Sequence, residues 1–512
     1  MEEILDDGLP SEIQSSIEDT EYNRGVAKIQ NFKGIYPKQL LYLCLAEMWE
    51  RFSFYGMRGM LILFMFERLH VGGKESNLKY GAIQAFAYTL TFVGGFFADK
   101  ILGFRRSIFL GGILMIIGSF ILAFSPEHLF YIGISFTIVG TGFFKPNIST
   151  MAGTLYKAGD SRRDAGFSLF YSGINLGALL GGWLCIYVAR TYSWNLAFSL
   201  AGICMVFGLS TFVFTQKSLG PIGLSPLKGK MTANRKTLYE VLVYLASLAM
   251  IPLVILLVMN GRYTDLFMYI AGPITLLYIF WEMRRFNWAE NRKLIAALIL
   301  IIFSIFFWAF FEQSGGSLNL FAAYNLHDNV IGIHMDPNVV NNSSNSLFVI
   351  LFSPLIGIIW FWMSKRKIEP NTVVKFGLGF LFLGLAFYIF YYTRFFADSK
   401  GLTSLNVFTL AYLVITLGEL CLSPIGLSSM TKLSPKSLQG VMMGLWFLAS
   451  AYGQYAAGIF GADMTIADNA PLTDKLFAFT EGYKQLGLYA LIAGVAMIAI
   501  SPLVRKLMQE VK

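Results

Sequence analysis

Apolar runs of about 20 residues, the length that crosses a bilayer, recur along this chain near 39–66, 79–98, 106–124, 128–151, 166–189, 194–215, 238–259, 265–283, 293–315, 345–363, 374–395, 404–424, 438–461 and 484–504. Inside lipid every backbone N–H and C=O must be bonded within the protein, so a lone apolar run of this length has one stable form, the α-helix. Fourteen such spans predict an all-α integral membrane protein with both ends on the same side. With 55% hydrophobic and only 14% charged residues, the chain falls in the polytopic membrane class.

Basic residues in the connections set the orientation. With the N-terminus inside, cytoplasmic segments hold 28 Lys and Arg and outer connections hold 9; Arg51, Arg58 and Lys145 are left within the spans. This asymmetry predicts cytoplasmic termini. The net charge of +9 is therefore a topogenic signal and does not indicate nucleic-acid binding. Cys44, Cys185, Cys204 and Cys421 all lie within spans, at spacings that suggest neither a disulfide nor a metal site. Residues 1–22 are polar and acidic and read as a mobile cytoplasmic tail without a cleavable signal.

The spans divide as six, two and six. The pair over 238–283 has no charge in its interior and is flanked by basic linkers (Lys228, Lys230, Arg235, Lys236; Arg284, Arg285, Arg292, Lys293), which reads as a peripheral hairpin. The expected domains are a tail over 1–35, a six-helix bundle over 36–217, a linker and accessory hairpin over 218–290, a second six-helix bundle over 291–505 and a tail over 506–512. Internal echoes support a duplication. Trp49 and Gly56 are spaced like Trp308 and Gly315, and Gly140 and Pro146 like Gly418 and Pro424. In a parallel repeat of this kind the substrate site lies between the halves near the midplane.

Charge at membrane depth is costly and is tolerated where it meets a partner or a wet path. The first span carries Glu47, Glu50, Arg51 and Arg58 on one helical stripe that also includes Phe54. Elsewhere the deep ionisable groups are Lys145, Glu312 and Glu419, so the buried set sums to four acids and three bases. A desolvated carboxylate without a cation takes up a proton, which gives the set the stoichiometry of a proton-dependent switch. The alternative, static ion pairs that hold helices together, needs fewer charges than these. Arg51, Arg58 and Lys145 belong to the first half and Glu312 and Glu419 to the second. A zwitterion between the halves would direct its carboxylate one way and its ammonium the other. Arg51 is the better carboxylate anchor because guanidinium pairs bidentately, with Lys145 as a point charge. Tyr55, Tyr88, Trp308 and Trp446 lie in spans with polar groups and would line side-chain subsites. Asn175 is a buried amide among glycines that must find hydrogen-bond partners.

From about residue 36 to 505 the chain resembles the proton-dependent oligopeptide transporter family of the major facilitator superfamily. The resemblance rests on Glu47-x-x-Glu50-Arg51-Phe52, Lys145-Pro-Asn, Phe170-Tyr-x-x-Ile-Asn175-x-Gly, Phe311-Glu312-Gln, Gly418-Glu419-Leu through Ser423-Pro, and Gly440-x-Met-Met-Gly-x-Trp446-Phe. Gly95-x-x-x-Asp99-Lys100 through Arg105-Arg106 is similar to the facilitator loop between the second and third spans. The resemblance implies a major facilitator fold with an inserted accessory hairpin of the bacterial type. It implies that Glu47, Glu50, Arg51 and Glu312 couple protons to transport, that Arg51, Lys145 and Asn175 hold a peptide carboxylate, and that Glu419 with Asn345 holds the amino end. Arg58 with Glu312, and Lys145 with Glu419, would be gating ion pairs between the halves. Two positions depart from the family pattern: Phe54 in place of a tyrosine, and Gln454 in place of an asparagine. His70, His128, His327 and His334 fall in or beside outer connections, so carboxylates must carry the proton.

The expected function is proton-coupled import of di- and tripeptides by alternating access, by a monomer in a bacterial inner membrane. Protons are the coupling ion and no other cofactor is expected. A transporter of another small anion such as nitrate, and a receptor that senses without transporting, are the alternatives. An enzyme is not expected: there is no His-Glu-x-x-His, and Gly229-Lys230 is followed by Met231, unlike a phosphate-binding loop.

Overall fold

The computed structural model describes residues 11–509 apart from 158, 161, 228–230 and 436–437. Residues 1–10 and 510–512 of the expected tails, and Lys228 and Lys230 of the expected basic linker, lie outside the described residues. In chain order the helices are α1 (Ser11–Gln30), α2 (Lys38–Glu67), α3 (Gly73–Phe97), α4 (Phe104–Phe124), α5 (Pro126–Thr154), α6 (Arg162–Thr191), α7 (Trp194–Thr215), α8 (Ala233–Met259), α9 (Gly261–Glu282), α10 (Trp288–Phe311), α11 (Ser317–Asn325), α12 (Pro337–Lys365), α13 (Thr372–Tyr392), α14 (Leu405–Leu433), α15 (Gln439–Asp463) and α16 (Leu472–Met508). A two-residue antiparallel pair, β1 (Asn329–Val330) with β2 (Ile333–His334), decorates the connection between α11 and α12.

Among the described residues, twelve helical segments are long and apolar enough to cross a membrane. The helices α2 and α15, at 30 and 25 residues, match them in length and fall short in apolarity. In α2 the cause is the charged stripe. Short connections are fixed by side-chain caps: Ser193 accepts from Leu196 N, and Asn287 and Glu290 form a reciprocal capping box at the start of α10.

Residues 11–22 of the expected tail belong to the helix α1. The end of this segment is tied down, with Gln30 Nε2 donating to Thr154 O at 2.9 Å and Arg162 Nη1 to Gly34 O at 2.9 Å.

Helices α2–α7 pack among themselves, as do α10–α16, and the two groups meet chiefly through α3 against α15 and α6 against α12. Close approach relies on paired glycines. A Cβ on Gly140 would stand 2.7 Å from Gly111 O, where α5 meets α4, and one on Gly418 would stand 2.8 Å from Gly379 O, where α14 meets α13. The two glycines of one internal echo thus serve matching helix contacts in the two groups. The other echo does not match: Gly56 faces Cys185 on α6, whereas Gly315 is occupied by the Tyr80 hydroxyl of the opposite group. Between the groups, Gly81 and Gly458 bring α3 and α15 into backbone contact. The connection after α3 closes on the segment beyond α7: Gly103 has φ of 77° and lies against Leu224, and Arg105 Nε donates to Ile222 O at 2.8 Å.

Candidate functional site

Four elements carry the intramembrane charges, and the first is α2. Its rise and spacing put Glu47, Glu50 and Arg51 on one stripe of the helix, where all three are 1% exposed or less. Arg51 Nη2 donates to Glu50 Oε1 at 2.6 Å, its Nε also bonds Glu50, and the same Nε lies 3.2 Å from Glu47 Oε1. One guanidinium therefore serves two carboxylates. Among the described residues Glu47 Oε2 is buried without a hydrogen-bond donor, so the acid excess counted along the chain is concentrated at this cluster.

Two turns further on, Arg58 reaches across to the other group. It pairs with Glu312, donates from Nε to Tyr80 OH at 2.7 Å, and lies 3.4 Å from Ser314 Oγ. Glu312 stands where α10 stops being α-helical: Glu312–Gly315 form a 3₁₀ turn before α11 resumes. Interrupted spans of this kind free backbone and aim polar groups inward. The Arg58–Glu312 pair between the groups is thus formed.

Lys145 and Glu419 are apart from such pairs. Lys145 Nζ sits 4.0 Å from the ring centroid of Tyr88 and 6.0 Å from that of Phe54. Glu419 Oε2 accepts from the Asn345 amide at 2.8 Å. No Lys145–Glu419 ion pair is formed among the described residues, and neither group has an oppositely charged side chain within 4.0 Å. Phe54, the position that departs from the family pattern, has its ring centroid 5.0 Å from the Arg51 guanidinium carbon. A ring face between two cations stabilises both without a hydroxyl. Asn175 Nδ2 donates to Tyr171 O at 2.9 Å, within its own helix. Tyr55 lies under Arg58 at 5.6 Å. Trp308 stacks edge-on with Phe307 and Phe311, with its buried Nε1 lacking an acceptor among the described residues, and Trp446 is buried against Gly426. The side chains of Ser423 and Pro424 lie outside the described residues.

Tyr80 was absent from the sequence-derived site. The available signal was its spacing from Tyr88, eight residues along α3 and so near the same face. Gln313 is a second omission; its amide donates to Ala457 O on α15 at 3.0 Å and joins the two helices beside Glu312. No group of three or more His, Cys, Asp or Glu among the described residues could hold a metal ion.

An all-helical membrane fold whose two helix groups enclose a set of buried, partly unmatched charges defines a transporter of the major facilitator type. The chain belongs to the POT family, whose model matches residues 105–473. It is similar to a peptide transporter of Yersinia enterocolitica (36% identical, covering 93% of this chain and 96% of that one). It is likewise similar to a di-/tripeptide transporter of Lactococcus lactis subsp. cremoris (33% identical, 93% and 97% covered). Among solved structures, the peptide transporter POT in complex with sulfate superposes with a TM-score of 0.81 at 32% identity, covering 95% of this chain and 99% of that one. A POT family transporter in complex with 5-aminolevulinic acid superposes with a TM-score of 0.79 at 30% identity, covering 93% and 98%. The chain is a transporter and not an enzyme.

Proposed function

We propose that this protein imports di- and tripeptides together with protons, as a monomer in a bacterial inner membrane with both termini cytoplasmic, by alternating access between bundles formed by residues 36–217 and 291–505, with 218–290 as linker and accessory hairpin. The observation that carries the reading is the pair of unmatched opposite charges, Lys145 on α5 and Glu419 on α14. A zwitterion supplies what each lacks: a carboxylate for Lys145 and an ammonium for Glu419. Peptides of two or three residues span about 7–10 Å between their ends, a length suited to a cleft between bundles. A small anion such as nitrate would leave Glu419 without a cation. Relatives named as peptide transporters point the same way, and 5-aminolevulinic acid, held by a solved relative, likewise carries an amine and a carboxylate.

In this reading Arg51, Lys145 and Asn175 receive the peptide carboxylate, and Glu419 with Asn345 the amino end. Tyr55, Tyr88, Trp308 and Trp446 line the side-chain subsites. Glu47 and Glu50, sharing Arg51, accept the coupling proton: when the peptide carboxylate takes the guanidinium, a carboxylate left without its cation in low dielectric binds a proton. Glu312 is the second coupling group, since releasing Arg58 leaves it uncompensated. The pairs Arg58–Glu312 and Lys145–Glu419 alternate as gates, the first formed and the second open in this conformation.

The test is uptake of labelled dialanine into proteoliposomes with an acidic exterior and an inside-negative potential. Accumulation that an uncoupler collapses is expected. Equal uptake with and without the gradients overturns proton coupling, and absent uptake with intact nitrate transport overturns the peptide reading.

A further inference from the structure

Of an amide array on α12, the roles assigned above use only Asn345. Asn338, Asn341, Asn342 and Asn345 recur at i, i+3, i+4 and i+7, so they form one stripe along the helix. Its lower end is Asn345, whose amide donates to Glu419 Oε2 at 2.8 Å and to Thr416 Oγ1 at 3.1 Å. Thr416 donates to Tyr412 O at 2.7 Å, and the Tyr412 hydroxyl donates to Asn341 Oδ1 at 2.6 Å. Asn341 Nδ2 donates to Ser314 O at 2.8 Å, in the turn that holds Glu312, and approaches Asn319 Oδ1 on α11 at 3.3 Å. Asn319 Nδ2 then donates to Gly59 O on α2, the residue next to Arg58, at 2.9 Å. Asn319, Asn341, Tyr412 and Thr416 are each 2% exposed or less. Hydrogen bonds thus lead from Glu419 to the Tyr412 backbone carbonyl and, starting again from the hydroxyl of the same residue, to the Ser314 and Gly59 carbonyls that neighbour Glu312 and Arg58, crossing from one helix group to the other.

The array is not saturated in this arrangement. Asn319 Oδ1 faces three amide donors, from Asn338, Asn341 and Asn342, at 2.8, 3.3 and 3.1 Å. A carbonyl oxygen has two lone pairs. Among the described residues Asn338 Oδ1 is meanwhile buried without a donor. One donor in excess and one acceptor in deficit are the conditions under which a network has a second, comparably bonded arrangement, and buried networks of this kind switch between discrete states.

We propose that Asn341, Tyr412 and Asn319 are positioning residues that relay occupancy of Glu419 to the Arg58–Glu312 gate. An ammonium on Glu419 competes for the oxygen that Asn345 bonds. The released amide alters its bond to Thr416, on the turn of α14 that carries Tyr412, and so the hold of the Tyr412 hydroxyl on Asn341 and the tie from Asn319 to Gly59. The proposal rests on the peptide reading, because it takes the ligand at Glu419 to carry an ammonium. A ligand can move this equilibrium only through such a difference in contacts between two states.

The experiment uses the full-length protein and dialanine. Hydrogen exchange of the segment 317–325 is compared with and without peptide, alongside dialanine affinity by calorimetry and gradient-driven turnover per folded molecule. In the parent, dialanine is expected to change exchange in 317–325. Tyr412→Phe is expected to keep affinity within about threefold while losing that response and about tenfold in turnover, the effect of roughly one buried hydrogen bond. Parent-like turnover and response in Tyr412→Phe overturn the relay, as does a joint loss of affinity and turnover with the exchange response intact. Should Tyr412→Phe fold poorly, Asn341→Leu combined with Tyr412→Phe removes both polar partners together, a change that restores stability more readily than one that strands a group. Recovered folding with turnover still low supports the relay; recovered turnover overturns it. Absent dialanine binding by the parent overturns the peptide reading and the relay stated on it, whereas binding with an unresponsive 317–325 overturns the relay alone.

Discussion

The helices α2 and α8–α9 cross the membrane at similar lengths and are built on opposite terms. The most apolar windows of α8 and α9 are 28% and 17% buried and otherwise face lipid. In α2, by contrast, Glu47, Glu50 and Arg51 are fully enclosed and Arg58 nearly so. Lipid selects against charge on an exposed helix, whereas an enclosed helix holds charge wherever a partner offsets the desolvation. The function of this fold therefore lies where the sequence is least membrane-like, and α2 misses the apolarity shared by most of its neighbours because of the charges it encloses.

The comparison breaks most sharply at Arg58. Removing one member of a buried pair strands the other charge at a cost of about 3–5 kcal/mol, so Arg58→Ala should destabilise the protein and leave Glu312 uncompensated. A large fall in thermal unfolding temperature is the expected outcome, with substantial recovery in Arg58→Ala combined with Glu312→Gln. Absence of recovery would show that Arg58 matters through Tyr80 rather than through the ion pair.

The next effect belongs to coupling. Moving one charge through 100 mV is worth ~2.3 kcal/mol, or roughly fifty-fold accumulation of a neutral peptide carried with one proton. Glu50→Gln keeps shape and hydrogen bonding and cannot titrate. It should abolish that accumulation while peptide exchange across the membrane persists. Accumulation like the parent's would move coupling to Glu312.

A smaller effect, about tenfold or more, is expected at the amino-end contact. Losing an ammonium from a desolvated charge pair costs ~2–5 kcal/mol, so N-acetylated dialanine should compete at least about tenfold more weakly than dialanine in the parent. Glu419→Gln should narrow that gap. A gap that survives in the variant refutes the assignment of Glu419.

These residues were legible because charge in an apolar run has no bland explanation. The fourteen spans were legible for the complementary reason, since length and apolarity suffice where lipid is the solvent. Pairing was not legible from the charges alone; the resemblance implied Arg58 with Glu312, and that pair is formed. Sequence gives four buried acids and three bases, yet not that Arg51 takes two acids while Lys145 stands over Tyr88. The asparagine stripe was hidden for a different reason. Residues 338–344 read as an outer connection because they are polar, whereas they are the first turns of α12, with Asn338 and Asn341 buried against α11. Hydropathy does not distinguish a polar face turned to water from one turned to another helix. The hairpin, expected to be peripheral because its interior lacks charge, does leave most of its apolar surface exposed, and the detail that composition did not give is that α9 touches both α3 and α15.

That last contact carries the mildest prediction. Tyr452 and Tyr455 on α15 hold α9 by its backbone and by one carboxylate: the Tyr452 hydroxyl donates to Met268 O and accepts from Gly272 N at 2.6 Å, and the Tyr455 hydroxyl donates to Asp265 Oδ1 at 2.5 Å. The α8 helix, meanwhile, lies on α3 and α5, so the hairpin spans the two groups that alternating access would move. If it is only lipid-facing packing, Tyr455→Phe should cost about 1 kcal/mol of stability, the typical worth of one hydrogen bond, and leave dialanine affinity and accumulation within twofold of the parent. The charge-poor hairpin and the charge-rich α2 would then differ in function as they do in composition. A fall in turnover at unchanged affinity would instead show that the tether restrains the motion between the groups. The sign is informative as well: faster turnover in Tyr455→Phe would mean that α9 holds the present conformation against the alternative, and that this hairpin contributes to the gating equilibrium through its Asp265 carboxylate.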